Sequence, residues 1–138
     1  MKFAFIPMAL VLTLSILGGC ASSPTWSGMS ETEISGWRAL GLEAADAQAL
    51  SKAGVSLQDT QAWRDAGLRD TKSILAWHDR GWSAGNAKDW LAGGFDLDTA
   101  SEWYKQKFSA EQARAWITAD FSLKEAVSNR DKGLTPVR

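Results

Sequence analysis

The sequence predicts an all-α fold: about eight short helices, built from a 13-residue repeat, packed as a small solenoid or helical spiral. Three observations predict it. A Trp-to-Gly pattern recurs in register along the chain. Each recurrence is preceded by a residue suited to start a helix and closed by one suited to end it. Period-two alternation of apolar and polar residues, the mark of strands, is missing, and Ala, Leu, Gln, Glu, Lys and Arg fill the segments between.

The pattern is W-x-x-x-G-Φ, with Φ apolar. Its starts are Trp37, Leu50, Trp63, Trp77, Trp90, Trp103, Trp116 and Asn129, spaced 13 residues apart except for 14 between Trp63 and Trp77. The added residue falls in a turn, at Arg69. Six of the eight glycine slots hold glycine (Gly41, Gly54, Gly67, Gly81, Gly94, Gly133). Lys107 and Asp120 hold the other two. All eight Φ slots are apolar: Leu42, Val55, Leu68, Trp82, Phe95, Phe108, Phe121 and Leu134. Fixed-period self-similarity of this kind marks a repeat architecture.

The targeting segment comes first in the chain. Lys2 precedes an apolar run from Phe3 to Leu17. The run is too short for a membrane-spanning helix and fits a signal peptide, residues 1–19. It ends in Leu17-Gly18-Gly19-Cys20, which closely resembles the lipobox of bacterial lipoproteins. That resemblance covers residues 1–20. It implies diacylglyceryl attachment to the Cys20 thiol, cleavage before Cys20, and acylation of the new amino group. Ala21, in place of Asp, implies retention at the outer membrane rather than the inner one. Cys20 is the one cysteine of the chain, so neither an intramolecular disulfide nor a thiolate metal site can form.

Residues 20–33 read as a lipidated N-terminus and flexible tether, small and polar, broken by Pro24 and Gly28. Trp26 is its odd member. It is expected to fold back on the first helices, the alternative being a ring resting at the membrane surface.

Residues 34–134 form the repeat domain. Seven residues before most starts stands an N-cap candidate: Ser30, Ser56, Asp70, Ser83, Asp96, Ser109 and Ser122. Two units carry a full capping box, Ser109 with Gln112 and Ser122 with Glu125. At the other end, glycine takes the left-handed conformation and Φ folds back on the last turn, as in a Schellman motif. One unit is therefore a helix of about nine residues, roughly 13 Å long. Helices this short are marginal alone and must borrow stability from neighbours. The residue three before each start permits this by being small: Ala47, Thr60, Ala87, Ala100, Ala113 and Ala126, with Ile34 and Ile74 larger. Asn129, polar in a Trp slot, reads as part of a C-terminal cap of the stack. Leu50 also replaces Trp. Residues 135–138 are expected to be a disordered tail. The tandem repeat resembles W-x-x-x-G-Φ helical repeats of bacterial proteins, a likeness that carries no activity with it.

The residues with potential chemistry are few. Removing Lys2 with the signal leaves 14 basic against 16 acidic residues, net −2. No basic stripe is present, which excludes nucleic acid as an expected partner. The Trp set is expected to be core, since an in-register Trp beside a small neighbour buries a large area. The alternative is a row of exposed platforms for glycan rings. His78, the only histidine, is expected at a helix C-terminus on the surface, where a cation is favoured. Without Cys or His companions it makes no ordinary metal site. Asp59, Asp65, Asp79, Asp89, Glu102, Glu111 and Glu125 alternate with Lys and Arg as solvated helix faces do. Gly93-Gly94 is turn rather than phosphate loop.

The expectation is a non-enzymatic lipoprotein of the bacterial envelope, anchored by lipid at Cys20 with no cofactor and no metal. It would display the repeat to a protein partner in the periplasm or at the cell surface. The alternative is a peptidoglycan-binding or glycan-binding module using exposed Trp, with a hydrolase last.

Overall fold

A computed structural model of the chain describes residues 25–137. The signal segment, the lipobox-like tetrapeptide, Cys20 and the first part of the tether lie outside the described residues. Among the described residues there are eight α-helices and no strand. They are α1 Glu31–Ala39, α2 Ala44–Lys52, α3 Leu57–Asp65, α4 Thr71–Asp79, α5 Ala84–Ala92, α6 Leu97–Lys105, α7 Ala110–Thr118 and α8 Leu123–Asp131. Each is 9 residues long.

Seven of the eight helices start for a local reason. The side chains of Ser30, Ser56, Asp70, Ser83, Asp96, Ser109 and Ser122 each accept the backbone N–H three residues on, satisfying a donor the helix leaves open. Capping boxes number four rather than two. Ser30 with Glu33 and Ser56 with Asp59 join the expected pair. Asp59 serves although its side chain is a methylene shorter than that of Glu, and accepts the Ser56 N–H at 3.0 Å. α2 begins at Glu43 with no side-chain bond. The cap at Ser30 sets α1 going at Glu31, so residues 31–33 are helix rather than tether.

Every helix ends in the same way. All eight residues in the glycine slots have positive φ, including Lys107 at 65° and Asp120 at 60°. In each unit the N–H of the Φ residue donates to the carbonyl of the residue in the Trp slot, from Leu42 to Trp37 through Leu134 to Asn129. The N–H of the preceding residue donates to the carbonyl three before it, Gly41 to Arg38 for example. These are the two bonds of a Schellman motif. The extra residue sits where the spacing placed it, since Arg69 separates Leu68 from the N-cap Asp70.

The joints also carry the core. The Trp residues at the starts, Trp37, Trp63, Trp77, Trp90, Trp103 and Trp116, are between 2 and 4 % exposed. Four of them meet their own Φ ring edge-on: Trp77 with Trp82, Trp90 with Phe95, Trp103 with Phe108 and Trp116 with Phe121, at centroid separations of 5.0 to 5.2 Å. The positive edge of one ring faces the negative face of the other, the favoured arrangement for aromatic pairs. Leu50 is fully buried in its Trp slot, so the second unit is core and not a softened end. Ala47, Thr60, Ala87, Ala100, Ala113 and Ala126 are fully buried, with Ile74 nearly so. Thr60 tolerates this because its hydroxyl donates to the Ser56 carbonyl at 2.9 Å.

The helices form two rows. α1 packs on α3, α3 on α5 and α5 on α7, while α2 packs on α4. Alternate units are thus neighbours, and one turn of the solenoid takes two repeats. At the C-terminal end α7 also packs on α6 and α8, which ties the rows together. Gly36 shows how close the α1–α3 approach is: a Cβ there would stand 2.6 Å from Leu57 Cδ1. Thr135 and Pro136 line a groove with Phe108, Trp116 and Arg130, so this part of the tail lies against the last joints.

Candidate functional site

The repeat supplies its own standard of comparison, because each position has seven counterparts elsewhere in the chain. Most departures from it are isolated. Three departures meet in space: Trp82, Ser101 and Tyr104. Trp82 is the one Trp in a Φ slot. Ser101, two before Trp103, is 7 % exposed and is the one buried residue at that position. Tyr104, the one tyrosine of the chain, stands directly after a repeat start.

The joint between α4 and α5 carries Trp82, and α6 carries the other two. Trp82 donates its indole N–H to Ser101 Oγ at 3.2 Å, which satisfies a buried donor. Its ring is the hub of the aromatic cluster. It meets Trp77 at 5.2 Å, Trp90 at 6.0 Å and Tyr104 at 4.8 Å between centroids. Tyr104 also meets Trp90 edge-on at 6.4 Å. It remains 48 % exposed, so part of its ring faces solvent. Arg80, Trp82, Asn86, Ser101, Tyr104 and Lys105 line a pocket of about 320 Å³. Arg80 Nη2 pairs with Asp98 Oδ1 at 2.8 Å at its edge.

This arrangement follows a rule that the separate units conceal. In two units the residue after the repeat start reaches back two units, over the C-terminal end of the helix below. Arg64 donates to the carbonyl of Leu40, and Arg130 to that of Gln106, both 24 residues away. Tyr104 occupies this position over the end of α4. Nothing local in the sequence marks Ser101 or Tyr104.

The residues singled out from sequence have other fates. The expected alternative of exposed Trp platforms is not what the fold builds. All seven Trp of the repeat units, Trp82 included, are 2 to 6 % exposed, because each is consumed by its own joint. Trp26 is half-buried, packs against the core and lies under the Arg38 guanidinium at 5.3 Å, where ring and cation attract. His78 lies in the last turn of α4 with Nδ1 3.7 Å from Asp79 Oδ1, beyond hydrogen-bond distance. Asp59 and Glu125 belong to capping boxes, Asp65 accepts from Gln61, and Asp89, Glu102 and Glu111 are exposed on separate helices. Among the described residues no group of three or more His, Cys, Asp or Glu is placed to hold a metal ion. No described helix is long and apolar enough to cross a membrane.

The carboxyls that depart from their ordinary range are all helix caps. The Ser73 N–H holds Asp70 low, and the Thr99 N–H holds Asp96 low. The Ser56 hydroxyl does the same for Asp59, and the Ser30 N–H for Glu33. Each is a bond to the charged form, which favours ionisation.

The fold is that of a small all-helical repeat solenoid. No protein-family model, no curated protein and no solved structure matches this chain.

Proposed function

We propose that the chain is a non-enzymatic lipoprotein of the bacterial envelope, most naturally of the outer membrane, that displays its helical repeat as a protein-interaction or structural module. One observation carries the display reading. Every repeat Trp is consumed inside the stack, while most of the residues that differ from unit to unit lie outward. A scaffold of uniform joints with a varied exterior suits recognition of an extended partner. The anchoring reading rests on Leu17-Gly18-Gly19-Cys20, the apolar run before it and the lone cysteine. A thioether-linked diacylglyceryl group with an acylated amino group gives several chains, and stable anchoring needs more than one.

Metabolic labelling with a palmitate analogue tests the anchor. The wild-type chain takes up label and enters the membrane fraction, and Cys20→Ser does neither. Label on Cys20→Ser would overturn it. Crosslinking of the lipidated protein in its native envelope tests the display, with capture of a discrete protein partner expected. Capture of cell-wall glycan alone would favour the second reading, a peptidoglycan-binding module, which would then use the Tyr104 pocket instead of exposed Trp.

A further inference from the structure

We propose that the pocket between the α4–α5 joint and α6 binds a carboxylated saccharide. Its volume, about 320 Å³, is at the lower end of ligand pockets and suits about one sugar ring. The partly exposed Tyr104 ring, held by Trp82 beneath it, provides a flat apolar face of the kind sugar C–H groups pack on. Donors stand around it. The Ser101 hydroxyl accepts from Trp82, so its own proton is free to be donated. The Asn86 side-chain amide makes no hydrogen bond within the described chain, and Lys105 makes no ion pair there. Arg80 uses one nitrogen on Asp98 and keeps further N–H groups. Asp98 at the edge is already matched by Arg80, and Lys105, one turn after Glu102 on α6, is in no ion pair among the described residues. A ring face, neutral donors and a cation held in no ion pair together select a hydroxylated ring bearing a carboxylate. Three departures from the repeat, in two segments of the chain, converge here. Phe95, Phe108 and Phe121 fill the same slot as Trp82 without needing a buried serine.

The carboxylate has two sources, the lactyl ether of a cell-wall sugar and the uronic acid of an acidic polysaccharide. The test is a titration of the full, isotopically labelled chain in detergent micelles. N-acetylmuramic acid, galacturonic acid and neutral N-acetylglucosamine serve as separate probes. The readout is the Trp82 indole N–H resonance, assigned with Trp82→Phe. At least one carboxylated sugar should shift it and saturate with Kd of about 1 mM, and the neutral sugar should bind at least about tenfold more weakly. The tighter of the two acids identifies the source. Lys105→Met should weaken the acid about fivefold and leave the neutral sugar unchanged. Tyr104→Ser should abolish both responses. Both side chains are exposed, and a thermal melt of each variant confirms that it folds. No shift with either acid by about ten times that Kd, equal binding of the neutral sugar, or an inert Lys105→Met would overturn the proposal. It does not depend on lipidation of Cys20, so the two fail separately.

Discussion

The Arg64 guanidinium donates to the carbonyl of Leu40, the residue that caps α1 two helices earlier. The carbonyls at the end of a helix lack intrahelical partners, and a guanidinium supplies donor and charge together. Arg130 does the same for Gln106, and its guanidinium also lies 4.5 Å over the Phe108 ring. We expect Arg64→Met, which keeps the aliphatic stem, to lower stability by about 1 to 3 kcal/mol, the range for losing a charge-assisted bond to a partly buried acceptor. Arg69→Met, in the extra turn position, should stay within about 0.5 kcal/mol of wild type. Urea denaturation of the two variants checks both, and equal effects would rule out the latch.

Lys107 sits at φ 65° where six other units have glycine. A Cβ makes that conformation cost roughly 1 kcal/mol or more. Glycine loses more chain entropy on folding, so part of the gain is returned. Lys107→Gly should therefore raise Tm by a few degrees, on the order of 0.5 kcal/mol. Asp120→Gly should gain less, because Asp tolerates the left-handed region better. A lower Tm for Lys107→Gly would contradict the common joint.

Ala113 is fully buried on α7, which packs against α5. Enlarging it drives side chains into a filled core. Ala113→Leu should cost about 1 to 3 kcal/mol. Ala115, half-buried on the same helix, serves as the comparison, and Ala115→Leu should cost less. Calorimetric melts of the pair distinguish a slot that must be small from general intolerance of α7.

The capping carboxyls predict acid sensitivity with a definite sign. Hydrogen bonds from Ser73 and Thr99 depress the pKa values of Asp70 and Asp96 in the folded chain. The unfolded chain therefore binds protons more readily. The stabilisation is present in full above about pH 4 and is lost as pH falls through the folded values. Asp70→Asn with Asp96→Asn retains a capping oxygen but removes the titration. The urea midpoint of this double variant should fall less than that of wild type between pH 7 and about pH 2.5. Parallel curves would show that the caps do not contribute through their charge.

What was legible in the sequence is what is local in it. Ser30 and Gly41 bracket α1 within a dozen residues, and their roles follow from the backbone groups each can satisfy. The Ser56–Asp59 box departs from the usual Ser/Thr-x-x-Glu/Gln pattern, and Asp59 reaches back all the same. The pairing of α1 with α3 was not legible, since a 13-residue period does not say how many units complete a turn. The Trp82, Ser101 and Tyr104 cluster shared that fate, because it depends on which units become neighbours. Gly36 reads as an ordinary helix-weakening glycine until Leu57 is seen to occupy the space beside it.

The two-row arrangement gives the chain a parity. Contacts along a row join units of the same number class, odd with odd, so a helix is in phase with its neighbours only modulo two. Excising a single 13-residue unit moves every later helix into the opposite row and sets Arg64-type side chains over the wrong carbonyls. Excising or duplicating two units together restores each later helix to its former side. The structural module of the stack is therefore the pair of helices that completes one turn rather than the single one.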